Sequence, residues 1–278
     1  MPSYVVVGAS RGIGFGLVKE LAADKNNTVI GLVRNVEAAK AKFAAEVPNG
    51  TIHAVYADLV NRKSLETAAA ETAAITGGAV DVFIANAAIG IPVNQLLTEE
   101  ATSDPDLFEK NMNDTFRINV VGTIQAVAYF GPLVVKGNLK KIAVISSGIG
   151  DIDFTLQSGM DMQSPYSISK AAVNMAVAKF HLEYRPKGVV VFAISPGLVD
   201  TEFTTDPNGP PLTAEEEAAK GANMMRTVGI LKAYAPHWEP VMLTPTQSAQ
   251  AVLKVIEGST IEKDGGKMVS HHGTQQWL

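Results

Sequence analysis

The chain has no cysteine among its 278 residues. This absence excludes disulfides, thiolate zinc sites, iron–sulfur clusters and thiol nucleophiles from its chemistry. Charged residues make up only 18% of the chain, and the formal net charge is −5, with no basic run. A mildly acidic chain of this kind is a poor candidate for binding nucleic acid or an anionic membrane surface.

Export and membrane signals are also missing from the sequence. The opening Met1-Pro2-Ser3 carries no basic segment and no cleavage site. No apolar stretch approaches the roughly 18 residues of a membrane span. We therefore expect a cytosolic protein. The histidines show no metal-ligand spacing with acidic residues, which predicts that no metal is bound by His53, His181, His237, His271 or His272.

Apolar residues are plentiful, at 46% of the chain with a mean hydropathy of +0.13, which rules out intrinsic disorder. Short apolar runs alternate with helical patterns along the sequence. The predicted strands are 4–7, 28–33, 52–56, 80–85, 142–146 and 189–194. The predicted helices are 14–23, 36–46, 64–76, 106–130 and 165–183, with Ser64 and Ser164 as N-caps. Fully apolar strands that alternate with helices predict an α/β fold with a doubly wound, Rossmann-type parallel sheet.

Residues 201–245 break this pattern with six prolines around an Ala/Met-rich helical piece at 214–225. The segment is too long for an ordinary connection between elements. It is either a surface insertion or a lid over a substrate. The lid is favoured because the segment follows the end of a strand, where sheets of this kind bind ligands. We predict one domain over 1–278, with a substrate lid at 202–245.

A glycine-rich turn follows the first predicted strand, with the sequence Gly8-Ala9-Ser10-Arg11-Gly12-Ile13-Gly14. Glycines let the backbone turn tightly and approach a pyrophosphate closely. The helix that follows offers unpaired N–H groups and a positive dipole end. The turn therefore predicts a dinucleotide cofactor.

The second predicted strand ends in Leu32-Val33-Arg34-Asn35, where NAD sites usually carry a carboxylate for the ribose 2′-hydroxyl. The nearest acid is Glu37. An arginine at this place suits a 2′-phosphate, and Arg11 in the glycine turn can reach the same group. Two cations in place of one anion predict NADPH/NADP+ as the cofactor.

Tyr166 and Lys170 are four residues apart on a predicted helix, so they share one face. An ammonium near a phenol lowers the phenol pKa, and such a tyrosine can pass a proton to a carbonyl oxygen as hydride arrives at the carbon. Upstream, the fifth predicted strand ends in Ser146-Ser147, where one hydroxyl can hold that carbonyl. The other serine is expected to have only a turn role.

Together these pieces resemble the short-chain dehydrogenase/reductase family. The other matching motifs are Asp58-Leu59, Asn86-Ala87-Ala88, Asn119-Val120-Val121-Gly122 and Ser195-Pro196-Gly197-Leu198-Val199-Asp200-Thr201. They fall in family order over residues 4–201. The tail, with Gly266-Lys267-Met268-Val269 and Trp277, is similar to those of sniffer-like carbonyl reductases and fungal norsolorinic acid ketoreductases.

The resemblance implies a role for each matching residue. Tyr166 would be the general acid, Lys170 would lower its pKa and bind the nicotinamide ribose, Ser147 would position the carbonyl, and Asn119 would extend the proton relay. The cofactor would lie against Asp58, Leu59, Asn86, Ala87, Pro196, Gly197, Val199 and Thr201.

The sequence departs from the family pattern in two places. Ala88 replaces an expected glycine, which should only tighten the turn. The gap between Ser147 and Tyr166 is long, which predicts an active-site loop at 148–164. Ser147 is the expected catalytic serine, with Ser146 as the alternative.

Two further expectations concern the surroundings of the site. The helix after Tyr166 is apolar nearly all round, which is consistent with burial in the core on one face and a homo-oligomer contact, in a dimer or tetramer, on the other. The apolar residues expected in a substrate pocket, or alternatively in ordinary packing, are Met160, Met162, Phe203, Met224, Met225, Trp238 and Met242.

The sequence therefore predicts an NADPH-dependent reductase for a ketone or aldehyde of a hydrophobic or aromatic, polyketide-like molecule. Two alternatives remain open at this stage. One is NADP-dependent alcohol oxidation at the same site, and the other is a regulatory protein that binds NADP(H) without turnover.

Overall fold

The computed structural model describes residues 1–48, 50–91, 95–201 and 213–278. Its centre is a seven-stranded sheet in the order β3-β2-β1-β4-β5-β6-β7, with parallel pairing throughout. The strands are β1 (Ser3–Val7), β2 (Thr28–Val33), β3 (Ile52–Tyr56), β4 (Val82–Ala85), β5 (Lys141–Ile145), β6 (Val190–Ser195) and β7 (Met268–Ser270). The predicted Rossmann-type sheet is confirmed.

The strand order reverses next to β1, where the pairing passes from β2 on one side to β4 on the other. Val7, the last residue of β1, lies in register with Leu32 of β2 and Ala85 of β4. The connections from these strands therefore diverge at their carboxyl ends. In open α/β sheets this divergence creates the crevice that binds ligands.

Helices cover both faces of the sheet. They are α1 (Gly12–Ala22), α2 (Val36–Glu46), α3 (Arg62–Thr76), α4 (Leu97–Ser103), α5 (Pro105–Phe116), α6 (Thr123–Val135), α7 (Ile152–Ser158), α8 (Ser164–Tyr184), α9 (Ala214–Tyr234), α10 (Pro245–Glu257) and α11 (Ile261–Asp264). One buried cluster includes Phe83 and Phe130, and a second, on the other face, includes Leu17 and Phe192. Burial on both faces explains why the strands are apolar throughout.

Both predicted serine N-caps are wrong. Helix α3 is capped by Asn61, whose side chain accepts from the Ser64 N–H, while the Ser64 hydroxyl donates to Asn61 O and accepts from Asp58 N–H. In α8, Ser164 is already in the first turn, and the N-cap is Gln163 in a left-handed conformation with φ of 61°. In α3 the local contacts with Asp58 and Asn61 occupy the Ser64 hydroxyl.

The helical region predicted at 106–130 is present and extends over 105–135, with a π-helical turn within it. Helix α5 is capped by Asp104 and passes through a π-helical turn, Arg117–Gly122, into α6. By length and composition, Pro105–Val135 could span a membrane, contrary to the sequence expectation, but half of its most apolar window is buried. It packs against α3, α8 and β4, so it is a core helix.

The carboxylate of Asp81 fastens the amino edge of the sheet, opposite the cleft. It accepts hydrogen bonds from the backbone and hydroxyl of Ser3 and from the N–H groups of Asn138 and Leu139. Burial alone would raise the Asp81 pKa, but these bonds hold it below its usual value. One side chain thus joins the start of β1 to the turn before β5.

Two segments beyond the sheet's carboxyl edge differ from their predictions. The loop predicted at 148–164 contains a short 3₁₀ turn, Gly148–Gly150, and α7, which is capped by Asp151. The helical piece predicted at 214–225 extends to Tyr234 as α9. Phe203 and the rest of 202–212 lie outside the described residues. Helix α10 follows, held by a capping box between Thr244 and Gln247.

Candidate active site

A cleft of about 490 Å³ runs along the carboxyl edge of the sheet. It begins at the glycine turn after β1, passes the ends of β4 and β5, and finishes against α9 and the tail. Most of the predicted site residues line it, namely Gly8, Ser10, Arg11, Gly12, Ile13, Arg34, Asp58, Leu59, Asn86, Ala87, Ser147, Tyr166, Lys170, Pro196, Gly197, Val199 and Thr201. The other two, Gly14 and Asn119, do not line the cleft but lie beneath residues that do.

The glycine turn is shaped so that a side chain would fill it. Gly8 has φ of 77°, and a Cβ there would lie 2.8 Å from the Cβ of Ala87. A Cβ on Gly14 would collide with the Gly8 carbonyl oxygen and lie 2.6 Å from Asn86 Nδ2. Within the part of the chain that the structure describes, no side chain caps the N-terminus of α1 at Arg11. A helix N-terminus whose N–H groups follow a turn without side chains fits the pyrophosphate of a dinucleotide.

Asn86, at the end of β4, fixes the position of this turn. Its Nδ2 donates to the carbonyl oxygens of Val7 and Gly8, at 3.1 and 3.3 Å. The side chain therefore joins the ends of β4 and β1 at the floor of the cleft. The next two residues, Ala87 and Ala88, line the cleft beside it.

Positive charge surrounds the end of the cleft at β2. Arg11 and Arg34 both line it. A third cation, not predicted from the sequence, is Lys42 of α2. Its Nζ donates to Ser10 O at 3.2 Å and lies 4.2 Å from the Phe15 ring centroid. Glu37, the nearest acid along the chain, is exposed and paired with Lys40 at 3.0 Å. The residues here fit a phosphate on the ribose better than a free hydroxyl.

Ser147 and Tyr166 form the reactive end of the cleft. The Ser147 hydroxyl is hydrogen-bonded to the Tyr166 phenol, and both line the cleft. Ser146 also borders the cleft, but its Oγ donates to Asn174 Oδ1 at 2.7 Å and the residue is 1% exposed. The structure thus separates the two adjacent serines, and Ser147 is the one beside the tyrosine.

Lys170 lies one turn after Tyr166 but is held by the sheet. Its Nζ donates to the carbonyl oxygen of Ile145 at 2.8 Å and is 5.5 Å from the Tyr166 ring centroid. Burial lowers the pKa of Lys170 to about 7. Burial also raises the pKa of Tyr166, against the opposing effect of Ser147. The expected lowering of the phenol pKa by the lysine is therefore not seen, since desolvation dominates both groups.

Asn119 lies in the π-helical turn and is buried. Its Oδ1 accepts from the Ile89 N–H and its Nδ2 donates to the Ile89 carbonyl, both at 2.8 Å. Nδ2 also donates to Ser169 Oγ, whose hydroxyl donates to the Tyr166 carbonyl at 2.7 Å. Its side chain thus joins the loop after β4 to the turn that carries Tyr166, so Asn119 is a positioning residue.

The loop after β6 closes the other wall of the cleft. Pro196 O accepts the Ser248 hydroxyl at 2.8 Å, and Val199 forms a parallel bridge with Leu243. Gly197 has φ of 87°, and a Cβ there would lie 2.9 Å from Leu243 Cδ1. These contacts fasten the loop to the segment that begins α10.

An apolar chamber lies at the far end of the cleft, beyond Tyr166. Its core is the buried cluster of Phe154, Met160, Met162 and Leu231, with Trp238 and Trp277 packed against it. Phe154 meets Tyr234 edge-on, with ring centroids 5.4 Å apart, and Trp277 at 6.0 Å. The chamber is thus built from α7, α9 and the tail.

The predicted pocket residues divide between cleft and packing. Met160 and Met224 line the cleft, while Met162, Trp238 and Met242 do not, and Met225 is 76% exposed. The sequence missed the lining residues Ile149, Phe154, Gln163, Asn223, Leu231 and Trp277. Of these, only Trp277 had a signal, in the tail resemblance. Among the described residues, no three His, Asp or Glu side chains group as metal ligands.

The geometry matches a known family. The family model for short chain dehydrogenases matches residues 3–209. The chain is 40% identical over 279 residues to the short-chain dehydrogenase/reductase AacuF of Aspergillus aculeatus, and 36% identical over 284 residues to the short chain dehydrogenase virK of Hypocrea virens. Each alignment covers 100% of both chains. The chain belongs to the short-chain dehydrogenase/reductase family and is therefore an NAD(P)H-dependent oxidoreductase that acts on small molecules at a CH–OH or carbonyl group.

Solved structures share the whole architecture. The NADPH-bound carbonyl reductase from chicken fatty liver superposes with a TM-score of 0.74 at 23% identity, covering 99% of this chain and 98% of that one. The carbonyl reductase Sniffer of D. melanogaster gives 0.73 at 22% identity with the same coverage. At this identity the likeness establishes the fold alone.

Proposed function

We propose that this protein is an NADPH-dependent reductase that reduces a ketone or aldehyde of a hydrophobic or aromatic, polyketide-like substrate. The observation that carries the proposal is the Ser147–Tyr166 hydroxyl pair, which lies between a dinucleotide cleft and an apolar chamber. A carbonyl carbon placed there would face the nicotinamide, which supplies hydride when bound.

The chain's own residues have distinct tasks in this proposal. The hydroxyls of Ser147 and Tyr166 bind the carbonyl oxygen and so orient the carbonyl carbon. Burial raises the Tyr166 pKa, which keeps the phenol protonated and able to donate its proton to the developing alkoxide. Lys170, held at Ile145, adjoins the phenol and would bind the nicotinamide ribose. Reduction requires the protonated phenol as proton donor, whereas alcohol oxidation at the same site would require the phenolate as base.

The preference for NADPH is supported by the cations at the β2 end of the cleft. Arg34→Asp removes one cation and adds an anion beside the ribose, so we expect the NADPH/NADH ratio of kcat/KM to fall at least about tenfold. Lys40→Asp reverses a charge on α2 that does not line the cleft and should leave that ratio unchanged. If the NADPH/NADH ratio of kcat/KM were the same in both variants, Arg34 would have no part in the preference for NADPH.

The test of the reaction itself is NADPH oxidation with a panel of aromatic and aliphatic ketones and aldehydes. Tyr166→Phe removes only the proton donor, and we expect kcat to fall about a thousandfold while NADPH still binds. Tyr129→Phe, on α6 and outside the cleft, is the matched control. Full activity in the Tyr166 variant would refute the mechanism. NADPH binding without turnover of any carbonyl would favour the regulatory alternative.

We further propose that the protein is cytosolic and forms a dimer or tetramer. Ile168, Met175 and Leu182 of α8 are 38%, 62% and 59% exposed. Their seven-residue spacing places them on one helix face. An exposed apolar stripe of this kind is typical of a helix that pairs with a second copy. Light scattering of the purified protein tests the assembly, and Met175→Lys should shift it toward monomer.

A further inference from the structure

Two amide side chains face each other at the mouth of the apolar chamber. Gln163 immediately precedes α8, and Asn223 lies on α9. Both line the cleft, with Gln163 Nε2 3.4 Å from Asn223 Oδ1. We propose that this amide pair binds a second oxygen substituent of the substrate, a hydroxyl or keto group distinct from the carbonyl that is reduced. The proposal rests on the proposed function and names the substrate class as oxygenated aromatic ketones.

Each amide is held in place by its backbone. Gln163 has φ of 61°, a left-handed conformation that residues other than glycine and asparagine seldom adopt. Its carbonyl oxygen accepts both the N–H and the hydroxyl of Ser167, at 2.9 and 3.1 Å. Asn223 is 5% exposed, and its carbonyl accepts the Thr227 hydroxyl. A strained backbone that aims a polar side chain into a cleft indicates a functional role.

An ion pair beside the amides sets the distance between them. Arg226 and Asp161 meet at 2.6 Å, three residues after Asn223 and two residues before Gln163. Residues 161–163 are therefore joined to α9 by two contacts, the ion pair at the rim and the amide pair inside the cleft. The tether keeps α9 close enough for both amides to reach one ligand atom.

The chemistry of the pair determines what it can recognise. A contact of 3.4 Å is at the long end of hydrogen bonding, and it uses one donor and one acceptor. The Gln163 oxygen and the Asn223 nitrogen are a further acceptor and donor. A substrate hydroxyl both donates and accepts, so it can bridge them. The adjacent walls, Phe154 and Leu231, are apolar, so an unsubstituted ligand would leave the amides poorly paired.

The test compares α-tetralone with its monohydroxylated derivatives. Calorimetry measures the binding of each to the NADP+-bound protein, and NADPH oxidation measures kcat/KM. We expect at least one derivative to bind about tenfold more tightly than the parent ketone. Gln163→Met keeps the side-chain length and Asn223→Leu keeps the branching at Cγ, while both remove the amide. Each should reduce the preference to about twofold or less.

Gln157→Met is the matched control, because it makes the same substitution at an exposed glutamine of α7 that does not line the cleft. It should leave the tenfold preference intact. Asn223→Ser gives a second, smaller change should the leucine variant fail to fold. Equal binding of all derivatives to the wild type, or a preference that survives in both amide variants, overturns the proposal. A hydroxyl preference in binding without any ketone reduction would overturn the reductase function and leave the recognition site standing.

Discussion

Removing the active-site lysine should make the cofactor-free protein more stable at neutral pH. Burial lowers the Lys170 pKa from 10.5 to about 7, so between these values the unfolded chain binds more protons than the folded chain. Stability therefore rises with pH across this window, and the full cost applies below about pH 7. At about 1.36 kcal/mol per pH unit, a protonated Lys170 costs the fold at most about 5 kcal/mol.

Lys170→Met keeps the unbranched side chain and removes the charge. It also removes the 2.8 Å hydrogen bond to Ile145 O, whose loss costs about 1–3 kcal/mol. The net expectation near pH 6.5 is a gain of about 2–4 kcal/mol in the free energy of unfolding, or roughly 5–10 °C in Tm. Near pH 10 the gain should vanish, because wild-type Lys170 is then neutral in the folded chain.

Urea denaturation of the cofactor-free protein at both pH values measures this difference. Lys179→Met is the matched control, since Lys179 is an exposed lysine on the same helix. It should change the free energy of unfolding by less than about 0.5 kcal/mol at either pH. The reasoning fails if Lys170→Met destabilises the protein near pH 6.5, or if its effect is the same at both pH values.

Three other outcomes follow from the site and the fold. Gly14→Ala should weaken NADPH binding at least about a hundredfold by calorimetry, because its Cβ collides with the glycine turn; wild-type affinity would show that the turn can relax. Ser147→Ala should lower kcat about a hundredfold. Ser146→Ala should lower kcat only slightly, but it should reduce the free energy of unfolding by about 1–2 kcal/mol. A larger loss of kcat in the Ser146 variant than in the Ser147 variant would exchange the roles of the two serines. Thr244→Ala should cost about 1 kcal/mol in urea denaturation through loss of the α10 capping box, and an unchanged midpoint would show that the box contributes nothing.

The sheet could be predicted from the sequence because its signals are local. Thr28–Val33, Val36–Glu46 and Ile52–Tyr56 begin and end where the apolar runs and helical patterns predicted. Helix starts were less certain, since several polar residues near each start can cap it. Asn61 caps α3 because the Ser64 hydroxyl is occupied at Asp58, and that contact depends on the folded turn.

Sequence motifs predicted the reacting groups of the candidate site but not the walls of the apolar chamber. Turn and helix motifs indicated Ser147, Tyr166 and Lys170, and the structure places them along one cleft. The chamber depends on how α9 packs against α7, which no local pattern encodes. Met224 and Met225 are adjacent and chemically identical, yet only Met224 faces the cleft.

The supports of the reacting groups are separate from the walls of the chamber. Asn119 and Lys170 are fastened to backbone atoms of Ile89 and Ile145, while the chamber is formed by side chains such as Phe154 and Leu231. For protein engineering, what the enzyme accepts and how it moves a proton are therefore two independent design variables. Libraries confined to the chamber walls can broaden or invert substrate scope while the proton donor stays in place.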